Sequence, residues 1–219
     1  MKKSILALLL ALVLVAPVFA SEKGDTELVF KVGLNLNPNV AASGELVKRG
    51  AFKPGTYEDT DCNVNNSLLI GAEIFAYLNK NVALGLGINN NFNADLKDLH
   101  GGGLKFYSEI GFTNFYFAVK PKIELESKIF NSIYFLGQLG YSLLRFDNTW
   151  RGQSVSKADD NGLYWGIGVG TEIKDCIVEL LYSVNYGTIK ANKDLVGNPY
   201  TADLTYKTLT LNVGFKFTI

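Results

Sequence analysis

Eight charged side chains stand at alternate positions of segments that are otherwise apolar or small: Lys31, Glu73, Lys120, Lys122, Glu124, Glu172, Glu179 and Lys216. Four cations against four anions suit mutual neutralisation, the condition under which charge tolerates enclosure. Catalysis has little to draw on. The one histidine, His100, precedes Gly101-Gly102-Gly103, and no serine follows it at the His-x-Ser spacing of a paired base and nucleophile. The glycine run lacks the strand and helix that a phosphate loop needs. Asp59-Thr60-Asp61-Cys62-Asn63-Val64-Asn65 spaces oxygen donors like the first half of a calcium loop, but Val64 takes the place of the required Gly and Ile70 that of the bidentate Glu. This stretch reads as a solvated polar loop. No catalytic residue, no metal and no cofactor is expected.

The elements that must position the charges all show period two rather than 3.6. Residues 208–219 alternate without a slip, Leu209, Leu211, Val213, Phe215, Phe217 and Ile219 on one face and Thr208, Thr210, Asn212, Gly214, Lys216 and Thr218 on the other. Seven earlier segments alternate likewise, at 28–36, 68–78, 82–88, 115–125, 133–144, 163–173 and 178–186, with Pro121 breaking the ladder of the fourth. Their connections run long, short, long, short, long, short, long. The short ones are 79–81, 126–132 and 174–175; the long ones are 37–67, 89–107, 146–162 and 187–203, rich in Asn, Asp, Gly and Lys. That ratchet predicts an all-β protein, an eight-stranded antiparallel up-and-down transmembrane β-barrel with short periplasmic turns and long extracellular loops.

Residues 1–20 have the form of a cleaved signal peptide: Lys2 and Lys3, an apolar run from Ile5 to Val15, then Val18-Phe19-Ala20 before Ser21. The apolar run is shorter than the ~17 to 25 residues a spanning helix needs. Residues 21–219 are then a single barrel domain exported to the bacterial outer membrane. Loss of the two leader lysines leaves 19 basic against 21 acidic side chains, a net charge of −2 that argues against a nucleic-acid partner. Cys62, in a polar loop, and Cys176, in a turn, fall at opposite barrel ends, too far apart for the roughly 7 Å Cα separation a disulfide tolerates.

A soluble lipocalin-like ligand-binding barrel has the same period with its apolar face turned inward. Charge placement favours the inverse arrangement. Apart from Arg145 at a strand end, the apolar faces carry no charge, while the eight charges occupy the other face, each within about 17 Å of the periplasmic end of its strand. They are expected to form a lumen charge cluster, and Gly33, Gly71, Gly85, Gly87, Gly140, Gly166, Gly168, Gly170 and Gly214 to make room inside a barrel only just wide enough for side chains. Tyr141, Trp165 and Tyr186 are placed as an aromatic girdle at the outer interface.

The chain end, Asn212-Val213-Gly214-Phe215-Lys216-Phe217-Thr218-Ile219, resembles the C-terminal assembly signal of the small outer-membrane barrel superfamily: the OmpX type, the transmembrane part of OmpA and the opacity-type adhesins. Ile219 stands where that family usually ends in Phe. The resemblance implies that the barrel-assembly machinery reads Gly214, Phe217 and Ile219 during biogenesis. Outer-membrane lipid and lipopolysaccharide are expected partners, together with a possible extracellular partner at the four loops. A structural or surface-interaction role with a plugged lumen is the leading expectation; a small solute channel is the alternative within the same fold.

Overall fold

The computed structural model describes residues 26–46, 56–63, 66–95, 107–127, 129–150, 153–191 and 200–219; the leader and His100 lie outside them. Among the described residues nine strands form: β1 (Thr26–Leu46), β2 (Thr56–Asn63), β3 (Ser67–Asn79), β4 (Val82–Asp95), β5 (Tyr107–Glu124), β6 (Ser132–Trp150), β7 (Gln153–Ile173), β8 (Cys176–Ala191) and β9 (Tyr200–Thr218). From β3 onward each pairs antiparallel with the next, and β9 returns to pair with β1, closing the sheet. On its other edge β1 meets β3 along its first half, from Thr26↔Ala76 to Asn35↔Ser67, and β2 along its second, from Asn39↔Asn63 to Glu45↔Thr56. β2 and β3 are thus the two halves of one stave. The result is a closed eight-stranded antiparallel barrel.

Turn chemistry fixes one end. β3 and β4 are joined through Lys80-Asn81, β7 and β8 through Lys174-Asp175, where Lys174 takes the left-handed backbone conformation (φ 54°) that a two-residue hairpin demands. At the opposite end the strands run well past their predicted limits. β1 continues to Leu46, and only two residues separate β6 from β7. Much of the segments expected as long loops is therefore strand, for a physical reason. Beyond the hydrocarbon layer neither face needs to be apolar, so the alternation that marks a lipid-facing strand disappears while the hydrogen-bonded ladder continues. Asp59 to Asn63, expected in a polar loop, belong to β2, where Cys62 stands opposite Val40. Cys176 is a free thiol at the start of β8, at the short-turn end.

The apolar faces point outward. Phe30, Val32 and Leu34 on β1, Leu163, Ile167 and Val169 on β7, and Leu209, Leu211, Val213, Phe215 and Phe217 on β9 are all exposed, while Lys31, Glu73, Lys120, Glu172 and Glu179 between such residues are buried. This is the inverse of a soluble ligand-binding barrel. Near the outer margin of the apolar belt the exposed Arg145 donates from Nη2 to Asn90 Oδ1 and to the Asn91 carbonyl. Pro121 lies in β5 opposite Val82; the β5–β6 ladder has no rung at residues 120 and 121, yet Val119↔Gly137 and Lys122↔Tyr134 keep one register. The ring costs a rung, not a shift.

Inside, large rings lie over glycines on the neighbouring strand. Phe75 pairs with Gly85, Tyr116 with Gly87 and Tyr134 with Gly170, and a Cβ at any of these three glycines would collide with the opposing ring. An eight-stave lumen has little spare width, so rings enter only where the facing position is empty. Gly170→Val is expected to destabilise the barrel by about 1–3 kcal/mol through overpacking, and Ile167→Arg on the lipid face by about 2–4 kcal/mol. Denaturant unfolding in lipid vesicles reads both; equal tolerance of Arg at Ile167 and at a solvent-exposed turn position would reject the outward assignment.

Candidate functional site

The lumen charges are delivered by strand parity. In β1 the odd residues Glu27, Val29, Lys31, Gly33 and Asn35 face inward, and each neighbouring strand contributes its own inward set at the same height. Two coupled centres result.

In the first, nearer the short turns, Lys120 Nζ bonds Glu172 Oε1 at 2.6 Å and Glu27 Oε2 at 3.1 Å, while Lys216 Nζ bonds the second oxygens of the same carboxylates, Glu172 Oε2 at 2.8 Å and Glu27 Oε1 at 3.3 Å. Lys122 Nζ stands 3.9 Å from Glu172 Oε2. Lys120 also sits over the rings of Phe75 and Tyr134, 5.2 and 4.7 Å from their centroids. The aromatic faces add attraction for a cation held away from water.

In the second, Lys31 Nζ donates to Glu73 Oε1 at 2.8 Å and to Glu179 Oε1 at 3.1 Å. The two carboxylates are kept apart and satisfied by neutral donors: Tyr116 Oη (2.7 Å) and Gln138 Nε2 (2.9 Å) on Glu73 Oε1, Asn212 Nδ2 (2.8 Å) and Tyr134 Oη (3.3 Å) on the two oxygens of Glu179. Extra hydrogen bonds of this kind make buried ion pairs tolerable.

Above the ions the lumen is polar but neutral. Tyr164 Oη donates to Gln138 Oε1 at 2.5 Å and accepts from Asn89 Nδ2 at 3.3 Å; Asn114 Nδ2 donates to Asn89 Oδ1 at 2.8 Å. Asn35 Nδ2 donates to Ser67 Oγ and Asn91 Oδ1, and Thr210 Oγ1 to Asn35 Oδ1, at 2.7 to 2.9 Å. Higher still, Ile110, Phe112, Leu144, Leu204 and Tyr206 are buried, the rings of Phe112 and Tyr206 5.3 Å apart.

Of the predicted cluster, Lys31, Glu73, Lys120, Lys122, Glu172, Glu179 and Lys216 come together. Glu124 does not. As the last residue of β5 it passes the end of the wall, is exposed and takes no part in these ion pairs among the described residues. Glu27, missed in the sequence, takes its place and preserves four charges of each sign. It is in phase with Lys31, and extending the alternation of β1 back by one step would have found it. Tyr141 and Tyr186 stand exposed on the outer wall, and Trp165 packs edge-on to Tyr182 with centroids 5.9 Å apart. Gly214 is buried opposite Lys31, and Phe217 and Ile219 are exposed, Phe217 edge-on to Phe30.

What this arrangement can do chemically is hold charge still. Each ionic group already has its counter-ion, and among the described residues no base is presented to a free nucleophile. Glu172→Gln removes half the compensation of two lysines and is expected to cost about 3–5 kcal/mol, whereas Glu124→Gln leaves stability unchanged. Equilibrium unfolding of the two variants side by side tests the split; equal effects would contradict the geometry.

A family model described as outer membrane protein beta-barrel domain matches residues 6–217. No curated protein matches the sequence. Among solved structures the chain is similar to the outer membrane protein OprG from Pseudomonas aeruginosa, with 16% identity and a TM-score of 0.55 over 90% of this chain and 98% of that one. It is also similar to the outer membrane protein AlkL in DMPC lipid bilayers, with 14% identity and a TM-score of 0.52 over 91% and 93% of the two chains. Likeness at this identity is one of fold.

Proposed function

The chain belongs to the outer membrane protein β-barrel domain family, and from that premise we propose that it is a closed membrane scaffold presenting its outer strand ends and loops at the cell surface. The observation that carries this reading is the continuous filling of the lumen. Ion pairs, tyrosines, amides and finally an apolar layer follow one another along the barrel axis, and Lys31, Glu73, Asn114, Asn185 and Thr210 are each buried to within a few per cent. A hydrated solute would have to break several buried hydrogen bonds to pass, each unmade group costing about 1–3 kcal/mol.

The outward half of the barrel supports the same role. Strands extended beyond the lipid belt carry the barrel wall past the membrane surface, a setting in which the connections between strands recognise partners. On this reading the extracellular partner meets the β1–β2, β4–β5, β6–β7 and β8–β9 connections, lipopolysaccharide surrounds the outer wall, and the barrel-assembly machinery reads the strand ending in Phe217 and Ile219. No reaction is assigned.

Planar-bilayer recording on the purified, refolded protein tests the closed lumen. The expected trace is flat, with at most brief, small openings, and Glu73→Gln, which neutralises the acceptor shared by Lys31, Tyr116 and Gln138, is expected to raise the frequency of openings. Stable conductance of the unaltered protein would replace the scaffold by a small solute channel.

A further inference from the structure

The turns at the short-turn end are not alike. Lys80-Asn81 and Lys174-Asp175 are polar, whereas the β5–β6 turn carries Ile129, 62% exposed, and Phe130, 41% exposed. This exposure is built in. The Leu125 N–H donates to the Asn131 carbonyl at 2.9 Å, the Asn131 N–H to the Glu172 carbonyl at 2.8 Å, and the Lys174 N–H to Asn131 Oδ1 at 3.2 Å, so the base of the turn is fastened to the next hairpin. At its tip Ser127 Oγ accepts the N–H groups of both Ile129 and Phe130 at 3.3 Å.

Two features select what covers these side chains. Ile123 and Ile133, paired across the two strands that lead into the turn, are themselves exposed hydrophobics of the outer wall, so the lipid belt reaches to within three residues of Phe130, with the exposed Asn131 between them on one limb and Glu124, Glu126 and Ser127 on the other. And the backbone N–H groups of the two apolar residues are already bonded to Ser127, which lowers the cost of bringing them toward hydrocarbon. A barrel of this family sets its short turns toward the periplasm. We propose that the β5–β6 turn is a lipid anchor, with Ile129 and Phe130 inserted at the headgroup and upper acyl level of the phospholipid leaflet facing the periplasm. The other two turns lack such residues, so the anchor acts on one side of the barrel and biases its depth and tilt.

The test places a reporter at the tip. In the full chain carrying Trp150→Phe and Trp165→Phe and refolded into phosphatidylcholine vesicles, Phe130→Trp is compared with Lys80→Trp in a polar turn and Leu139→Trp in the belt, folding being verified by heat-modifiable migration on a gel. Phe130→Trp is expected to lose emission when the vesicles contain phosphatidylcholine brominated near the headgroup, and to resist quenching by aqueous acrylamide, in both respects siding with Leu139→Trp against Lys80→Trp. Ile129→Trp repeats the measurement should Phe130→Trp fail to fold. Emission from both tip reporters that behaves like Lys80→Trp, quenched from water and untouched by brominated lipid, would overturn the anchor and leave the apolar pair to a periplasmic protein.

Discussion

A sheet placed in hydrocarbon cannot leave an edge, because every unpaired N–H and C=O there lacks water to bond. The pairing of β1 with β9 removes the edge, and most of the remaining architecture follows from it. Closure fixes eight staves around a lumen too narrow for solvent and side chains together. Period two then divides every strand between lipid and lumen, so the choice of one face's residues dictates what the other must accommodate. The described chain ends meet at the seam, where the Ile219 N–H donates to the Thr26 carbonyl at 3.0 Å.

With hydrocarbon outside, the lumen becomes the place where polarity is concentrated. That is costly unless each charge is paired and hydrogen-bonded. The observed solution is graded. Whole carboxylates are shared between two lysines at the short-turn end; a single lysine is shared between two carboxylates a little higher, with tyrosine and amide donors bonded to the same carboxylates; above that the network is neutral. Bulk is accommodated by glycine, as the pairs Phe75–Gly85, Tyr116–Gly87 and Tyr134–Gly170 show. Such a network contributes modestly to net stability but strongly to specificity of register, because a slip of one residue would carry Lys31 or Glu172 into lipid.

Much of this was legible in the sequence, and the parts that were not share a cause. Parity could be read wherever hydrocarbon demands Leu, Val or Phe at every second position, so the closed barrel, its short turns and seven of the eight cluster charges emerge from alternation alone. Beyond the lipid belt the demand lapses, and residues 39–46 of β1 or 153–157 of β7 look like polar loop although the first stay paired with β9 and the second, with one bulge, with β6. Glu124 and Glu27 illustrate the same limit at the other end. Parity says which way a residue points but not where the wall stops, and one residue of overhang moved Glu124 into solvent while Glu27 was enclosed. The neutral partners, Tyr116, Tyr134, Gln138 and Asn212, carry no signal of their own in sequence; only closure brings them to the carboxylates.

The central claim is orientation: lipid bathes the apolar faces, and the lysines and glutamates are enclosed. Spin labels placed singly along β9 at positions 209 to 213, 215 and 216, in the protein refolded into phosphatidylcholine vesicles, test it most directly through collision with oxygen and with an aqueous nickel chelate. The expected result is a period of two in which labels at Leu209, Leu211, Val213 and Phe215 meet oxygen, while those at Thr210, Asn212 and Lys216 are immobilised and shielded from both reagents. Labels at Thr210, Asn212 and Lys216 that move freely and meet the nickel chelate, with those at Leu211 and Val213 shielded, would contradict it.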